Sequence, residues 1–435
     1  MVVRDTMTES RAEKDITVKV DALSYGPHGI GRKDGQAVFI PLTAPGDEAV
    51  IRIVSEKGNY SIGELSRLLE PSPLRQPPPC PYFGQCGGCP WQHIQYREQL
   101  VAKEKSVEEA LRRIGKLGGF ELLPIIASPN EYHYRRRIRL QVDERKKVGF
   151  HRALSHELIE IESCLIADAD LDRRLSGVRE WVGGLRTRIH QVEMVQSDEG
   201  AAVVFAGKAE GGFAPEDDSR NLHFLEEHKE ITGLVLYGKG WRRSWGQGTI
   251  LIHSGDGLRF ELDAELFTQV NREGNKEITR ELLGWGEFHN RDRLLELYCG
   301  AGNFTLPLAR LAGEVVAVEG NRRSIENGRV NSRLNALENI RWIYSDVAKW
   351  AKLLRGKKDR FSKIILNPPR SGAKGVELNL APLKVEKILY LSCNPTTLAR
   401  DLSQLAMNGY RLKRVRPIDL YPHTFHVEAL AEMVR

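Results

Sequence analysis

The chain has 435 residues, of which 41% are hydrophobic and 28% are charged, and its formal net charge is +6. These values indicate an ordinary globular protein of two or three domains. The polar N-terminus excludes a signal peptide, the lack of an apolar run of about 18 residues excludes a membrane span, and six cysteines are too few for a disulfide scaffold. We therefore expect a cytoplasmic protein with no membrane contact.

The first part of the chain predicts a small barrel followed by a stiff linker. Residues 1–15 are charged and are expected to be disordered. Residues 16–72 alternate apolar and polar positions with glycine breaks, which is typical of short strands in a β-barrel. The segment EPSPLRQPPPCP at 70–81 contains six prolines and predicts an extended linker without a helix.

The middle of the chain, residues 73–265, contains a cysteine cluster and a predicted helix over 96–114. Apolar runs such as IRLQVDE, KVGFHRA, AAVVFAG and TGLVLYG then predict an antiparallel β-rich unit.

From residue 266 to 435, apolar strands alternate with helical segments. This alternation predicts an α/β domain with a parallel sheet. The last two strands, YRLKRVRPIDL and HVEALAEMVR, predict a closing antiparallel hairpin.

The run LLELYCGAGNF is an apolar strand, a G-x-G turn and a helix start. Gly300 and Gly302 allow the backbone to approach a ligand closely. Glu319 ends the next strand, where it can accept hydrogen bonds from ribose hydroxyls, and Asp346 ends the third strand, where it can meet an adenine. A lone G-x-G also occurs in dehydrogenases and structural turns, but the third glycine of the dinucleotide fingerprint is missing. That absence favours S-adenosylmethionine over NAD.

Cys393 and Glu428 form the predicted catalytic pair. Cys393 ends the apolar strand of ILYLSCNP, and Glu428 opens the last strand in HTFHVEAL. A thiolate can add to C6 of a uracil ring so that C5 accepts a methyl group, and a carboxylate can then remove the C5 proton. The alternatives are a buried core thiol for Cys393 and a solvent-facing acid for Glu428. Cys299, the rival thiol, is interpreted as a structural residue of the glycine loop.

Two further motifs flank this pair. In KIILNPPRSG, the rigid Pro-Pro turn exposes the Asn367 amide to a base and Arg370 to phosphate or to charge at O4. In FTQVN, Gln269 and Asn271 either cover the cofactor or cap the following helix.

The spacing Cys80-x5-Cys86-x2-Cys89, with a separate Cys164, predicts a metal centre. Spacing alone leaves zinc and an iron–sulfur cluster open, with redox chemistry or plain packing as lesser alternatives.

The segment 132–152 has eight Lys or Arg residues and two acids. In HYRRRIRLQV, Arg135, Arg137 and Arg139 are predicted to share one strand face, interleaved with rings that can stack on bases. The alternative is an ordinary solvated strand face. Either RNA or another polyanion fits this charge better than a neutral ligand.

The chain resembles the bacterial 23S ribosomal RNA (uracil-5-)-methyltransferases of the RNA 5-methyluridine methyltransferase family. The motifs that carry the resemblance are FTQVN, LYCGAGNF, NPPRSG, YLSCNPTTLARDL and PHTFHVE, in that order. It implies a TRAM barrel, a Rossmann-like methyltransferase domain, and Cys393 and Glu428 as nucleophile and base. It places S-adenosylmethionine on Gln269, Tyr298, Gly300, Glu319 and Asn367, and a [4Fe-4S] cluster on Cys80, Cys86, Cys89 and Cys164. The family usually has Asp before Pro-Pro, so Asn367 is a departure.

The resemblance favours 23S ribosomal RNA as the substrate. The sequence shows no obligate protein partner, and we expect a monomer. Two alternatives stay open: the same reaction on transfer RNA, and a non-enzymatic iron–sulfur RNA-binding protein with a degenerate methyltransferase domain.

Overall fold

The structure is a computed structural model, and it describes residues 15–199, 202–354 and 360–435. Apart from Asp15, the N-terminal segment 1–15 lies outside the described residues. The chain divides into two compact units. The first comprises Met1–Gly84, Cys89–Ala102 and His423–Phe425, and the second comprises Gln85–Gly88, Lys103–Pro422 and His426–Arg435.

The described residues form the following strands: β1 Asp15–Leu23, β2 His28–Lys33, β3 Gln36–Pro41, β4 Glu48–Glu56, β5 Tyr60–Glu70, β6 Glu121–Leu122, β7 Arg137–Val142, β8 Val148–His151, β9 Leu158–Glu160, β10 Ile189–Gln196, β11 Val203–Ala209, β12 Ile231–Gly238, β13 Trp241–Gly246, β14 Thr249–His253, β15 Arg259–Asp263, β16 Arg293–Leu297, β17 Glu314–Glu319, β18 Ile340–Tyr344, β19 Lys363–Leu366, β20 Lys387–Ser392, β21 Arg411–Ile418 and β22 Glu428–Val434.

They also form the following helices: α1 Tyr96–Glu109, α2 Ala169–Asp172, α3 Leu175–Gly184, α4 Asp217–Glu227, α5 Arg272–Gly286, α6 Thr305–Ala309, α7 Arg322–Leu334, α8 Val347–Leu353, α9 Glu377–Leu380 and α10 Pro395–Met407. A π-helical turn over Ala110–Ile114 continues α1, and a 3-10 turn over Ala381–Leu383 follows α9. Within the described residues, no helix is both long enough and apolar enough to cross a bilayer.

The first unit contains a closed barrel with the strand order β1-β2-β3-β5-β4. Its interior is filled by alternate side chains of these strands, which point to one face because the side-chain period of a strand is two. The buried set is Val18, Val20, Val38, Ile40, Ala49 and Ile51. The predicted barrel is therefore confirmed.

In the second unit, a seven-stranded sheet has the order β13-β12-β11-β10-β7-β8-β9. The expected antiparallel arrangement is corrected at one pair, because β11 and β12 run parallel. Two parallel neighbours require a crossover, and α4 supplies it. Neither α4 nor α3 was predicted from the sequence.

The α/β part of the second unit is a sheet with the order β18-β17-β16-β19-β20-β22-β21-β6. The strands from β18 to β20 are parallel, and β16, β19 and β20 are buried along almost their whole length, as strands covered on both faces are. β22 runs antiparallel between β20 and β21. The predicted closing hairpin is thus present, and its second strand is inserted beside the parallel set. The boundaries predicted at residues 72 and 265 stay predictions.

Candidate active site

The antiparallel register of β20 and β22 brings the predicted catalytic pair together. Ser392 at the end of β20 lies opposite Ala429 in β22. Cys393 is the next residue after β20 and Glu428 is the first of β22, so the two occupy facing positions one step beyond that pair. Both line a cavity of about 1160 Å³ in the second unit.

Burial dominates the electrostatics of this pair. Loss of solvent, together with the Glu428 carboxylate, raises the pKa of Cys393 to about 11, and the Arg370 guanidinium opposes both effects. Burial also raises the pKa of Glu428 to about 7, against the lowering effect of Arg370 and of a hydrogen bond from Tyr421. The Cys393 thiol is therefore protonated near neutral pH, whereas Glu428 is present there in both its protonated and its charged form. A group with such a pKa is suited to accept a proton from a bound substrate.

The loop that carries Arg370 is fixed from the start of α10, the helix that follows Cys393. The Arg370 carbonyl accepts hydrogen bonds from the Asn394 amide at 3.3 Å and the Thr397 hydroxyl at 3.2 Å. Three residues further on, the Ala373 N–H donates to the buried Asp401 carboxylate at 2.7 Å. One scaffold thus holds both the thiol and the cation that acts on it.

The glycine loop after β16 forms another wall of the cavity. Gly300 has φ of +58°, and a Cβ added there would meet no heavy atom within 4 Å, so the backbone faces open space. The Glu319 carboxylate fixes this loop by accepting the N–H of Gly300 at 3.1 Å and of Asn321 at 2.8 Å. Tyr298 enters the loop with a left-handed φ of 63°. An exposed loop backbone at the carboxyl end of a parallel strand is where nucleotide-like ligands bind in α/β sheets.

Five of the seven predicted cofactor residues line this cavity: Gln269, Tyr298, Gly300, Glu319 and Asn367. Among the residues that the structure describes, a buried oxygen of the Gln269 amide has no hydrogen-bond partner, which suits a site that a ligand completes. These features fit S-adenosylmethionine. Asn271 caps α5 by accepting the Gly274 N–H at 2.9 Å, which is one of its two predicted roles.

The other two predicted cofactor residues lie outside the cavity lining. Gly302, with φ of +105°, is packed, because an added Cβ would lie 2.5 Å from Leu306 and 3.0 Å from Trp342. Asp346 caps α8 by accepting the Lys349 N–H at 2.8 Å. Contact of either with the cofactor stays a prediction.

Cys299, the rival thiol, is buried, and its burial holds its pKa well above the usual range. It packs with Ala317 and Ile325, in agreement with the structural role expected for it.

Of the four cysteines predicted to hold the cluster, the structure shows an interaction between two. Cys86 and Cys164, both in the second unit, are close enough to act on each other electrostatically. Burial raises the pKa of Cys164 to about 11, while the N–H groups of Ala167 and Ile166 donate to its sulfur. The described residues contain no group of three or more Cys, His, Asp or Glu side chains arranged to hold a metal ion.

The basic segment needs one correction. Arg137 in β7 is not an exposed cation: its side chain is 7% exposed and pairs with the buried Glu193 of β10 at 2.7 Å. The Arg139 side chain is 61% exposed and pairs with the same Glu193 carboxylate, so Arg137 and Arg139 share a strand face. Arg135 and Arg139 both line the cavity. A basic side chain in the interior of a sheet pairs with an acid on the neighbouring strand. The sequence pattern of β7 alone did not reveal that Glu193 of β10 is this partner.

Sequence reasoning assigned no role to two residues of this site, Tyr421 and His426, although Tyr421 directly precedes the PHTFHVE motif and His426 lies within it. Both line the cavity. The Arg370 guanidinium donates to the His426 ring at 2.9 Å, and burial together with nearby cations lowers the pKa of His426 to about 3. His426 is therefore a neutral imidazole. No sequence spacing indicates that these two residues lie in the site, because their positions depend on the turn of the closing hairpin.

The parallel sheet, its inserted antiparallel strand and the glycine loop define a class I methyltransferase fold. In agreement, the crystal structure of Pyrococcus abyssi tRNA (uracil-54, C5)-methyltransferase in complex with S-adenosyl-L-homocysteine superposes with a TM-score of 0.75. The superposition covers 96% of this chain and 99% of that chain at 22% identity, so it establishes the fold.

Sequence comparison establishes the family. The family model described as tRNA (Uracil-5-)-methyltransferase matches residues 249–433, and the TRAM domain matches residues 13–66. The 23S rRNA (uracil(1939)-C(5))-methyltransferase RlmD of Yersinia enterocolitica is 35% identical over 96% of this chain and 95% of its own length. Its counterpart in Pectobacterium atrosepticum is 33% identical over 98% and 95%. The chain belongs to the RNA (uracil-5-)-methyltransferase family.

The two loop glycines give a matched test of the cofactor wall. Gly300→Ala places a methyl group in the cavity, so we expect binding of S-adenosylmethionine to weaken by about tenfold, with a loss of stability of only about 1 kcal/mol. Gly302→Ala clashes with packed side chains and lowers the unfolding midpoint more. Calorimetric titration and thermal unfolding measure the two effects, and equal binding losses would contradict the assignment.

The two arginines of β7 separate RNA contact from folding. Arg139→Ala is expected to weaken RNA binding and reduce the salt slope by about one, since one phosphate contact is lost. Arg137→Ala removes the buried partner of Glu193 and leaves only the largely exposed Arg139 to compensate that charge, so it is expected to destabilise the fold by about 3 kcal/mol. Filter binding at several salt concentrations and urea unfolding measure these changes, and an unchanged salt slope for Arg139→Ala would exclude a phosphate role.

Proposed function

We propose that this protein transfers a methyl group from S-adenosylmethionine to C5 of a uridine in 23S ribosomal RNA. The single observation that carries the proposal is the facing placement of Cys393 and Glu428 in one cavity, bordered by the open glycine loop. The names of the Yersinia and Pectobacterium relatives favour ribosomal RNA over transfer RNA. Action in the cytoplasm follows from this substrate, and the monomeric state stays a prediction.

The proposed reaction uses the thiol first. The Cys393 thiolate adds to C6 of the uracil, and the electron pair of the C5–C6 double bond moves onto C5 and O4. Arg370, which already acts on this sulfur, is placed to favour the thiolate over the thiol. S-adenosylmethionine, bound along the glycine loop, would supply an electrophilic methyl group to C5 and would leave as S-adenosylhomocysteine.

The second half of the reaction belongs to Glu428. After methylation C5 carries both a methyl group and a proton, and Glu428 takes that proton. The C–H electron pair restores the C5–C6 double bond, and the C6–S bond breaks with its pair on sulfur. The carboxylate is buried and its pKa is about 7, so a useful fraction is charged at neutral pH.

We further propose that Cys80, Cys86, Cys89 and Cys164 hold a [4Fe-4S] cluster. The sequence spacing and the family resemblance support it, as do the mutual influence of Cys86 and Cys164 and the two N–H groups directed at the Cys164 sulfur. Hydrogen bonds of that kind stabilise cluster thiolates. The cluster would contribute to folding and takes no part in the methyl chemistry.

Mapping of 5-methyluridine tests the proposed function. In cells that lack the gene, the wild-type protein should restore the modification in 23S ribosomal RNA, and Cys393→Ser should not. Glu428→Gln should stall with methylated RNA covalently attached, visible on a denaturing gel, because proton removal is blocked. Cys299→Ala, which removes the rival thiol, should keep the modification. Restoration by Cys393→Ser, or modification of transfer RNA alone, would contradict the proposal.

Metal analysis tests the cluster. Protein purified without oxygen should be brown and contain about four iron atoms and four sulfides per chain, and Cys164→Ser should lose most of both. Colourless protein with one tightly bound zinc would contradict the cluster.

A further inference from the structure

Tyr421 lies among the groups to which the chemistry is assigned. Its side chain lines the cavity together with Cys393, Glu428 and His426. The His426 ring meets the Tyr421 ring edge-on, with 5.9 Å between centroids and an interplanar angle of 79°. The Arg135 guanidinium lies 5.7 Å from the centroid of the same ring. The phenol is therefore held by contacts from two other segments.

A buried ion pair fixes the backbone of the same residue. The Asp419 carboxylate accepts the Tyr421 N–H at 2.8 Å, and the Lys103 ammonium donates to that carboxylate at 2.7 Å. The same ammonium donates to the Tyr421 carbonyl at 3.0 Å. Both charged side chains are fully buried. Burying a charge pair has a high desolvation cost, and this pair binds both polar backbone groups of one residue.

The hydroxyl of this fixed side chain donates a hydrogen bond to Glu428. Burial, and secondarily the Glu428 charge, keep the pKa of Tyr421 far above its usual range, so the phenol stays protonated and donates. A donor to a carboxylate stabilises the charged form. The hydroxyl thus opposes the effect of burial on Glu428.

We propose that Tyr421 is a positioning residue for the general base: its hydroxyl fixes the Glu428 carboxylate and keeps it charged for removal of the C5 proton. This inference rests on the proposed function. In the step concerned, the carboxylate takes the proton, the C–H pair becomes the C5–C6 double bond, and Cys393 leaves C6 with the pair of the C–S bond.

Two other titratable groups of the cavity have pKa values far from that of Glu428. Burial raises the pKa of Cys393 to about 11, and burial together with nearby cations lowers the pKa of His426 to about 3. The Arg370 guanidinium donates a hydrogen bond to the His426 ring. Arg135 lies against Tyr421, and Lys103 is paired with Asp419 behind it. Glu428 is the group expected to titrate near pH 7. A fall in the rate of proton removal toward low pH, the acid limb of the pH profile, therefore reports the protonation of Glu428.

The test is the pH dependence of the rate from adduct to free methylated RNA, measured in single turnovers from about pH 5 to about pH 9. Because loss of the hydrogen bond raises the pKa of Glu428, the acid limb of Tyr421→Phe should shift upward by roughly one to two pH units. Near pH 6 the rate should fall about tenfold or more, with the methylated adduct accumulating, and at high pH it should approach that of the wild type.

Two further variants keep the test decisive. Tyr410→Phe is the matched control, since its hydroxyl donates to the Val385 carbonyl at 3.2 Å and the residue does not line the cavity, and its profile should overlay that of the wild type. If Tyr421→Phe fails to fold, 3-fluorotyrosine at position 421 retains the hydroxyl as a stronger donor and should shift the limb downward.

The outcomes separate this inference from the proposed function. Three results would overturn the role of Tyr421 while the wild type still makes 5-methyluridine. The acid limb of Tyr421→Phe could overlay that of the wild type, or the variant could lose rate equally at every pH. The acid limb of the 3-fluorotyrosine protein could also fail to move. A wild type that forms neither adduct nor product would instead overturn the proposed function.

Discussion

The antiparallel pairing of β22 with β20 is the constraint on which the rest of the site depends. A purely parallel sheet would bring only the carboxyl ends of its strands to this edge. Inserting one reversed strand brings an amino end there as well, so the first residue of β22 faces the residue that follows β20. Cys393 and Glu428, which are 35 positions apart in the sequence, become neighbours through a single register.

The same arrangement creates an electrostatic conflict that the surrounding residues moderate. A thiol and a carboxylate that share a poorly hydrated cavity each disfavour the charge of the other. Arg370 opposes this effect on both groups, and the Tyr421 hydroxyl opposes it on Glu428. The loop contacts of Arg370 and the buried pair beneath Tyr421 hold these two side chains in place. The polar groups behind the site therefore help to determine which protonation states the reactive pair can reach.

Much of the fold was predictable because its signals are local. The alternation in β1 that buries Val18 and Val20, the glycine loop after β16 and the apolar runs of β19 and β20 each follow from short-range patterns. The prediction was wrong where a distant partner decides the outcome. Arg137 is buried because Glu193 of β10 lies beside it, and β11 pairs in parallel with β12 because α4 intervenes. Tyr421 and His426 were assigned no role for the same reason: their positions depend on the turn of the closing hairpin.

The most direct measurement is the site of the covalent bond. RNA containing 5-fluorouridine should be methylated and then remain attached, because fluorine at C5 cannot be removed as a proton, and peptide mass spectrometry can locate the attachment. The account predicts one modified peptide, with the methylated fluoropyrimidine on Cys393. Attachment to Cys299, or the absence of an adduct from protein that still methylates ordinary uridine, would contradict it.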